Sequence, residues 1–296
     1  MVDVISIKNF SKSFGTNKVI DNLNFTVQTG DIFAFLGQNG SGKTTTLRCL
    51  LNIYNRDEGE MLFMGQEYSV EFAKYLGYLP EERGLYNNSK VLETMIYFGQ
   101  IKGLSYLDAK NRALKFLERV DLPDKAKSQI KKLSSGQQQK IQLGITVINE
   151  PKILILDEPT KGLDPVNRSL LLDILMELNE AGSTILFCTH QMEEAEKIAN
   201  RLLMIKKGKA VLYGETEKVK KDFGENTIIV EFKGNLPRNE KLYSAVIEKN
   251  YAELNPNDGV SENSILQFLM TTGIEIIKFE IASPSLNEIF IKLATN

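Results

Sequence analysis

The chain of 296 residues has two cysteines, no excess of charge of one sign and no long apolar run. Two thiols, Cys49 and Cys188, are too few for a disulfide framework or a zinc cluster. Both lie in apolar runs, as buried structural thiols do. Lys plus Arg is 36 and Asp plus Glu is 38, for a net charge of -2. That balance supplies no global basic field and argues against indiscriminate nucleic-acid binding. No stretch approaches the ~18 consecutive apolar residues of a membrane span. Met1 to Phe10 has no basic segment leading into an apolar core, so no secretory signal is read there. The expectation is a cytosolic, reduced protein. No internal repeat or low-complexity segment is evident. What is present is 42% apolar and 25% charged residues, enough to fill a core and to exclude disorder as the main state. At ~150 residues per domain the length suggests about two domains.

Val4 to Lys8 alternates like a strand, and Asn24 to Val27 reads as a second, closed by the turn Thr29-Gly30-Asp31. Ile32-Phe33-Ala34-Phe35-Leu36 is a continuous apolar run of strand length, which suits burial on both faces of a sheet. A Gly-rich loop follows, then a predicted helix from Thr44 to Tyr54. Residues 84–150 read as mostly helical, with Val91, Leu92, Met95, Ile96, Leu114 and Leu117 at helical spacing. Ser105 or Asp108 is expected to cap one of these helices, and Ser134 or Ser135 another that runs to about Asn149. Short buried strands are predicted at 153–156 and 184–188, alternating with helices at 166–180 and 191–199. Such alternation implies an α/β fold with a mostly parallel sheet. The pattern changes near 215. Thr227 to Phe232 and Ile274 to Ile281 look like strands, and Ile265 to Met270 like a helix. Ser283-Pro284-Ser285 opens a last helix with proline at an early position. The expected division is a core at 1–217, with a helical subdomain at about 84–150, and a small α+β domain at 218–296.

Gly37-Gln38-Asn39-Gly40-Ser41-Gly42-Lys43-Thr44 satisfies G-x-x-x-x-G-K-[ST] between a predicted strand and helix. From average composition the bare pattern arises by chance on the order of once per hundred chains of this length. Glycines let successive N–H groups turn inward as an anion nest, and the helix that follows adds its positive end. Gly37, Asn39, Gly40, Ser41, Gly42, Lys43, Thr44 and Thr45 are therefore candidate nucleotide-binding residues. Lys43 can reach the β and γ phosphates, and the Thr44 hydroxyl can ligate Mg²⁺. Ile153-Leu154-Ile155-Leu156 ends in Asp157-Glu158-Pro159, which sets two carboxylates at the carboxyl edge of a sheet. Asp157 suits a Mg²⁺-bound water, and Glu158 suits a general base acting on the attacking water.

Leu133-Ser134-Ser135-Gly136-Gln137-Gln138-Gln139 resembles the signature segment of ABC-type ATPases, in its expected place before the acidic strand. Gly162-Leu163-Asp164 resembles the family's D-loop, and His190, the single histidine, its switch histidine. Phe14 stands where the family places an aromatic that stacks on adenine. The resemblance covers residues 1–215. It implies a P-loop NTPase core, ATP with Mg²⁺, and two such subunits paired head to tail as a homodimer or heterodimer. Each nucleotide would then lie between one phosphate loop and the partner's Ser134, Ser135, Gly136, Gln137 and Asp164. His190 would contact the γ-phosphate and the attacking water.

Three positions depart from the family pattern. Glu81 stands where a Mg²⁺-touching glutamine is usual, Ser135 replaces a signature glycine, and Lys161 stands where the D-loop often has serine. Glu81 could still ligate Mg²⁺, with Arg83 to offset its charge. Leu79-Pro80-Glu81-Glu82-Arg83-Gly84-Leu85-Tyr86 and Ser283 to Phe290 resemble a branch that includes sodium-extruding NatA-like proteins and drug-export ATPases, whose permeases are separate chains. The resemblance thus implies the motor subunit of an exporter. It would be cytoplasmic, peripheral on the inner face of the membrane, and bound to an integral membrane permease through a groove between residues 84–130 and the Glu81 loop. The C-terminal extension reads equally as a dimer-stabilising or purely structural appendage and as a regulatory one. The alternative is a soluble ABC-type ATPase acting on nucleic acid or the ribosome. About 90 residues between Lys43 and Ser134 leave no room for a long coiled coil, the chain has one ATPase unit, and its charge is balanced, so no nucleic-acid partner is expected.

Overall fold

Apolar runs with no polar alternation must be covered on both faces, and three of them form the centre of the main sheet. The computed structural model of the protein describes residues 3–82, 84–223, 227–282 and 284–295. Arg83, suggested above to offset Glu81, lies outside the described residues. By contact the chain divides into two compact units, Met1–Glu215 and Thr216–Asn296.

The first unit runs β1 (Asp3–Phe14), β2 (Asn17–Gln28), β3 (Ile32–Gly37), α1 (Lys43–Leu50), β4 (Glu58–Phe63), β5 (Leu76–Leu79), α2 (Val91–Ile101), α3 (Tyr106–Arg119), α4 (Ser135–Val147), β6 (Ile153–Asp157), α5 (Pro165–Glu180), β7 (Thr184–Thr189), α6 (Met192–Ile198), β8 (Arg201–Lys206) and β9 (Lys209–Glu215). Its larger sheet has the order β5-β6-β7-β3-β8-β9 and is parallel except for the antiparallel β8–β9 edge. Every residue of β3, β6 and β7 is buried. Because β5, β6, β7 and β3 run parallel side by side, the loops that leave them emerge at one edge. Those loops carry Glu81, Glu158, His190 and the phosphate loop, so the strand order alone gathers four separate stretches of sequence.

A second, antiparallel sheet, β2-β1-β4, shares its core with the first. The rings of Phe25 and Phe33 stack across the two sheets at 5.5 Å. In the helical region, Gly144 of α4 lets α3 come close. A Cβ at Gly144 would lie 2.5 Å from the Phe116 ring. Both cysteines are buried. Burial pushes the Cys49 thiol up to about 11 and the Cys188 thiol well above its ordinary value.

Several local expectations are corrected. α1 ends at Leu50, not Tyr54. The chain turns there through Asn52 at φ 56°, and Tyr54 swings back so that its hydroxyl accepts a bond from Arg48. Ser105, not Asp108, caps α3, because it precedes the helix and its hydroxyl accepts the Asp108 N–H at 3.1 Å. Ser134, not Ser135, caps α4. Pro284 precedes the last helix instead of entering its first turn. Ser285 receives the Glu288 N–H at 3.2 Å, and Glu288 receives the Ser285 N–H at 2.7 Å, a reciprocal cap that starts the helix one residue after Ser285.

The second unit runs α7 (Thr216–Phe223), β10 (Thr227–Lys233), β11 (Tyr243–Glu248), β12 (Tyr251–Pro256), α8 (Glu262–Thr271), β13 (Glu275–Ala282) and α9 (Leu286–Thr295). Its four strands form an antiparallel sheet, β11-β12-β10-β13. Alternate residues Ile228, Val230 and Phe232 of β10 pack with Ile265 and Leu269 of α8 in a separate core. Among the described residues no helix is long and apolar enough to cross a membrane.

Candidate functional site

The loop after β3 curls on glycine. Gly42 has φ 110°, a conformation that strains any residue with a side chain, and a Cβ there would also crowd Ile20 Cδ1. Gly42 is also the N-cap of α1. It offers no side chain to cap the helix, and no acid stands in the first turn. The first N–H groups of α1 are thus left to an anion. Lys43 is 6% exposed and folds over its own loop. Its Nζ donates to Gly37 O at 2.7 Å and Gln38 O at 3.3 Å, and lies 3.6 Å from Glu158 Oε1.

Glu158 follows β6 at φ 50°, a left-handed conformation uncommon for a residue with a side chain. Its N–H donates to Cys188 O at 3.0 Å, which ties the turn to β7. One carboxylate oxygen, Oε2, meets His190 Nδ1 at 2.9 Å. The other, Oε1, is buried without a hydrogen bond. Lys43, Glu158 and His190, from three different loops, therefore form one contiguous constellation.

Asp157 is fully buried, and neither carboxylate oxygen has a hydrogen-bond partner of good geometry. Burial pushes its carboxyl up to about 6. The Thr44 hydroxyl pulls the other way, while Glu81 and Glu158 reinforce the rise. Orphaned carboxylate oxygens beside a hydroxyl suit a hard divalent cation that keeps most of its ligands for water and phosphate. Thr44 and Asp157 therefore fit Mg²⁺. Ser41 Oγ is a further buried atom of the loop without a partner. Asn39 and Gly40 are exposed on the loop, and Thr45 lies half-buried on α1.

Glu81 is engaged elsewhere. It forms an ion pair with Lys161 at 2.6 Å, which raises the Lys161 pKa. Two of the three departures from the family pattern thus pair with each other. An exposed pair of this kind contributes about 0–1 kcal/mol. Glu81→Gln should therefore move the Tm of the nucleotide-free protein by no more than about 4 °C, measured by calorimetry.

Ser134, Ser135, Gly136 and Gln137 open α4. Ser134 and Gln137 close a reciprocal cap, with Ser134 N–H to Gln137 Oε1 at 3.0 Å and Gln137 N–H to Ser134 Oγ at 3.3 Å. Asp164 caps α5, accepting the Asn167 N–H at 2.9 Å, and Asn167 holds its carboxyl below the usual range. Among the described residues no hydrogen bond or ion pair joins either group to the phosphate loop of the same chain. Phe14 ends β1 half-exposed, edge-on to Tyr54 at 5.6 Å.

Gln139, which ends the signature segment, and Gln142, which the motifs do not include, hold these loops in place. Gln139 Nε2 donates to Pro159 O at 2.8 Å, and Gln142 Nε2 donates to Pro80 O at 3.2 Å and Glu82 O at 3.3 Å. They stand at i and i+3 on α4, both buried, and clamp it to the turn after Glu158 and to the Glu81 loop. The available signal was the run of amides Gln137, Gln138, Gln139 and Gln142 at the start of this helix.

Comparison with known proteins agrees with this geometry. Residues 20–161 match the family model for ABC transporters, and residues 214–294 match that of the C-terminal domain of DrrA1-3-like ATP-binding proteins. The uncharacterised ABC transporter ATP-binding protein YhaQ of Bacillus subtilis is 35% identical over 98% of each chain. The Nod factor export ATP-binding protein I of Cupriavidus metallidurans is 37% identical over 73% of this chain and 72% of its own. A solved ATP-binding subunit of an ABC transporter superposes with a TM-score of 0.69 at 25% identity, over 75% of this chain and 93% of that one.

Proposed function

The chain belongs to the ABC transporter ATP-binding family, whose members hydrolyse ATP, and we propose that it drives an exporter whose membrane pathway is a separate permease. One observation carries the reading. Lys43, Glu158 and His190 meet in one chain, while among the described residues no hydrogen bond or ion pair joins Ser134 to Gln137 to them. A second copy, or a close relative, then brings its own Ser134 to Gln137 onto the nucleotide.

In this reading the N–H groups of the phosphate loop and α1 bind the β and γ phosphates, and Lys43 exchanges its bonds to Gly37 O and Gln38 O for phosphate oxygens. Thr44 and Asp157 would hold Mg²⁺, and Glu81, whose charge acts on Asp157, would be a further ligand on leaving Lys161. When bound, the ion would neutralise charge that develops on the phosphates. Glu158 accepts the proton of the attacking water at the oxygen that lacks a hydrogen bond, and His190 keeps the carboxylate turned toward it.

Export is supported by the relative that carries it in its name. The permease contact is assigned to an aromatic patch beside the Glu81 loop. Tyr86 and Tyr97 are each more than half exposed, and with Ser89, Glu93 and Thr94 they line a cavity of about 370 Å³. An amphipathic helix with an apolar anchor fits such a groove. The subunit would then work in the cytoplasm, peripheral to the inner face of the membrane. Tagged protein extracted from its native membranes should retain a multi-span membrane protein. Tyr86→Ala with Tyr97→Ala should release that partner while nucleotide affinity stays within about twofold, since neither ring touches the phosphate site. Recovery with ribosomes or nucleic acid instead overturns the transport reading.

A further inference from the structure

Glu194 of α6 is a carboxylate that none of the steps above uses. It is 2% exposed, and its burial in the first turn of α6 costs free energy unless its oxygens are held. Its Oε2 accepts the Thr189 hydroxyl at 3.1 Å, and the same hydroxyl accepts the Gln191 N–H at 3.0 Å. Thr189 and Gln191 flank His190, so one buried carboxylate ties down both sides of the turn that presents the imidazole. The other oxygen, Oε1, faces Arg168 Nε at 3.4 Å, outside hydrogen-bond geometry. Arg168 lies in the first turn of α5, and its N–H donates to Asp164 O at 2.8 Å. Thr160, with its hydroxyl buried and no hydrogen bond of good geometry, stands against the same carboxylate. Burial raises the pKa of Glu194, and Thr160, Thr189 and Arg168 resist the rise.

We propose that Glu194 is a positioning residue for hydrolysis: through Thr189 it sets His190 against Glu158, and through Arg168 and Thr160 it couples that turn to the Gly162–Asp164 loop. The inference rests on the assignment of Glu158 and His190 to the hydrolytic site. Its physical basis is that the cluster is imperfectly satisfied. A buried carboxylate with one well-bonded oxygen and one merely facing a guanidinium has a second arrangement within reach, in which Arg168 closes fully onto it. Docking of a partner at Asp164 would shift Arg168, and the shift would reach His190 through Glu194 and Thr189.

The single histidine makes this testable, because a protein labelled in histidine gives one imidazole signal. Glu194→Gln keeps shape and an acceptor for Thr189 but loses the charge that faces Arg168. It should lower kcat about tenfold or more with KM for ATP within about threefold, as loss of orientation does. It should also shift the His190 imidazole resonance in the direction seen when Glu158→Gln replaces the carboxylate beside it by an amide. Thr189→Val should reproduce both effects, and Thr189→Ser, which restores the hydroxyl, should recover most of the loss. A folded Glu194→Gln protein with unchanged kcat and an unmoved imidazole signal overturns the proposal. If Glu194→Gln does not fold, the Thr189 pair decides: equal behaviour of Val and Ser overturns it. If the resonance moves but His190→Ala hydrolyses at the parent rate, positioning stands and the hydrolytic role of His190 fails.

Discussion

Glu158→Gln should slow ATP hydrolysis by about 10²–10⁴-fold, the range that a general base contributes, while nucleotide affinity stays within a few-fold. The amide fills the same turn at φ 50° and keeps a contact with His190, but it cannot take a proton from water. Affinity survives because the loop N–H groups and Lys43 do not depend on that proton. The substitution also removes a buried negative charge 3.6 Å from Lys43 and leaves the ammonium to the phosphates. With ATP and Mg²⁺ the variant should run as a dimer in gel filtration, since the trapped nucleotide holds two copies together. A monomer at every concentration would remove the paired mechanism. Single-turnover kinetics separates the two effects: binding proceeds and the chemical step stalls.

Lys43→Ala should abolish measurable nucleotide binding. Charged hydrogen bonds are each worth about 1.5–3 kcal/mol, so loss of one or two weakens affinity by about tenfold to 10⁴-fold. Removal of the ammonium also leaves Glu158, buried beside it, with less compensation and a field that repels the incoming triphosphate. Isothermal titration with a non-hydrolysed ATP analogue checks it, and circular dichroism verifies the fold. Parent-like affinity in a folded Lys43→Ala protein would remove the phosphate-loop assignment.

Much of the first unit was legible because the physics there is local. Ile32 to Leu36, Ile153 to Leu156 and Thr184 to Cys188 have no polar face, and a run of that kind, too short for a helix, suits a covered strand. The phosphate loop was legible because glycine, lysine and threonine at that spacing answer a single demand. What escaped depends on segments far apart in the chain. Lys161 reaches Glu81 across 80 positions, and Gln142 reaches Pro80 across 62. Neither contact leaves a trace in local composition. The left-handed turn at Glu158 escaped for another reason: its sequence neighbours favour no such conformation, and the bond to Cys188 O from the adjacent strand supplies it. α1 was read too long because Leu51 to Tyr54 continues the apolar pattern, and the stop at Asn52 is a backbone event.

The two buried thiols have a practical consequence. With Cys49 held up to about 11 and Cys188 sealed in β7, neither is nucleophilic near neutral pH. A cysteine introduced at exposed Val166 would then be the one site open to a maleimide dye. Fluorescence energy transfer between two labelled copies could follow their approach and separation in real time, with the native protein contributing no background.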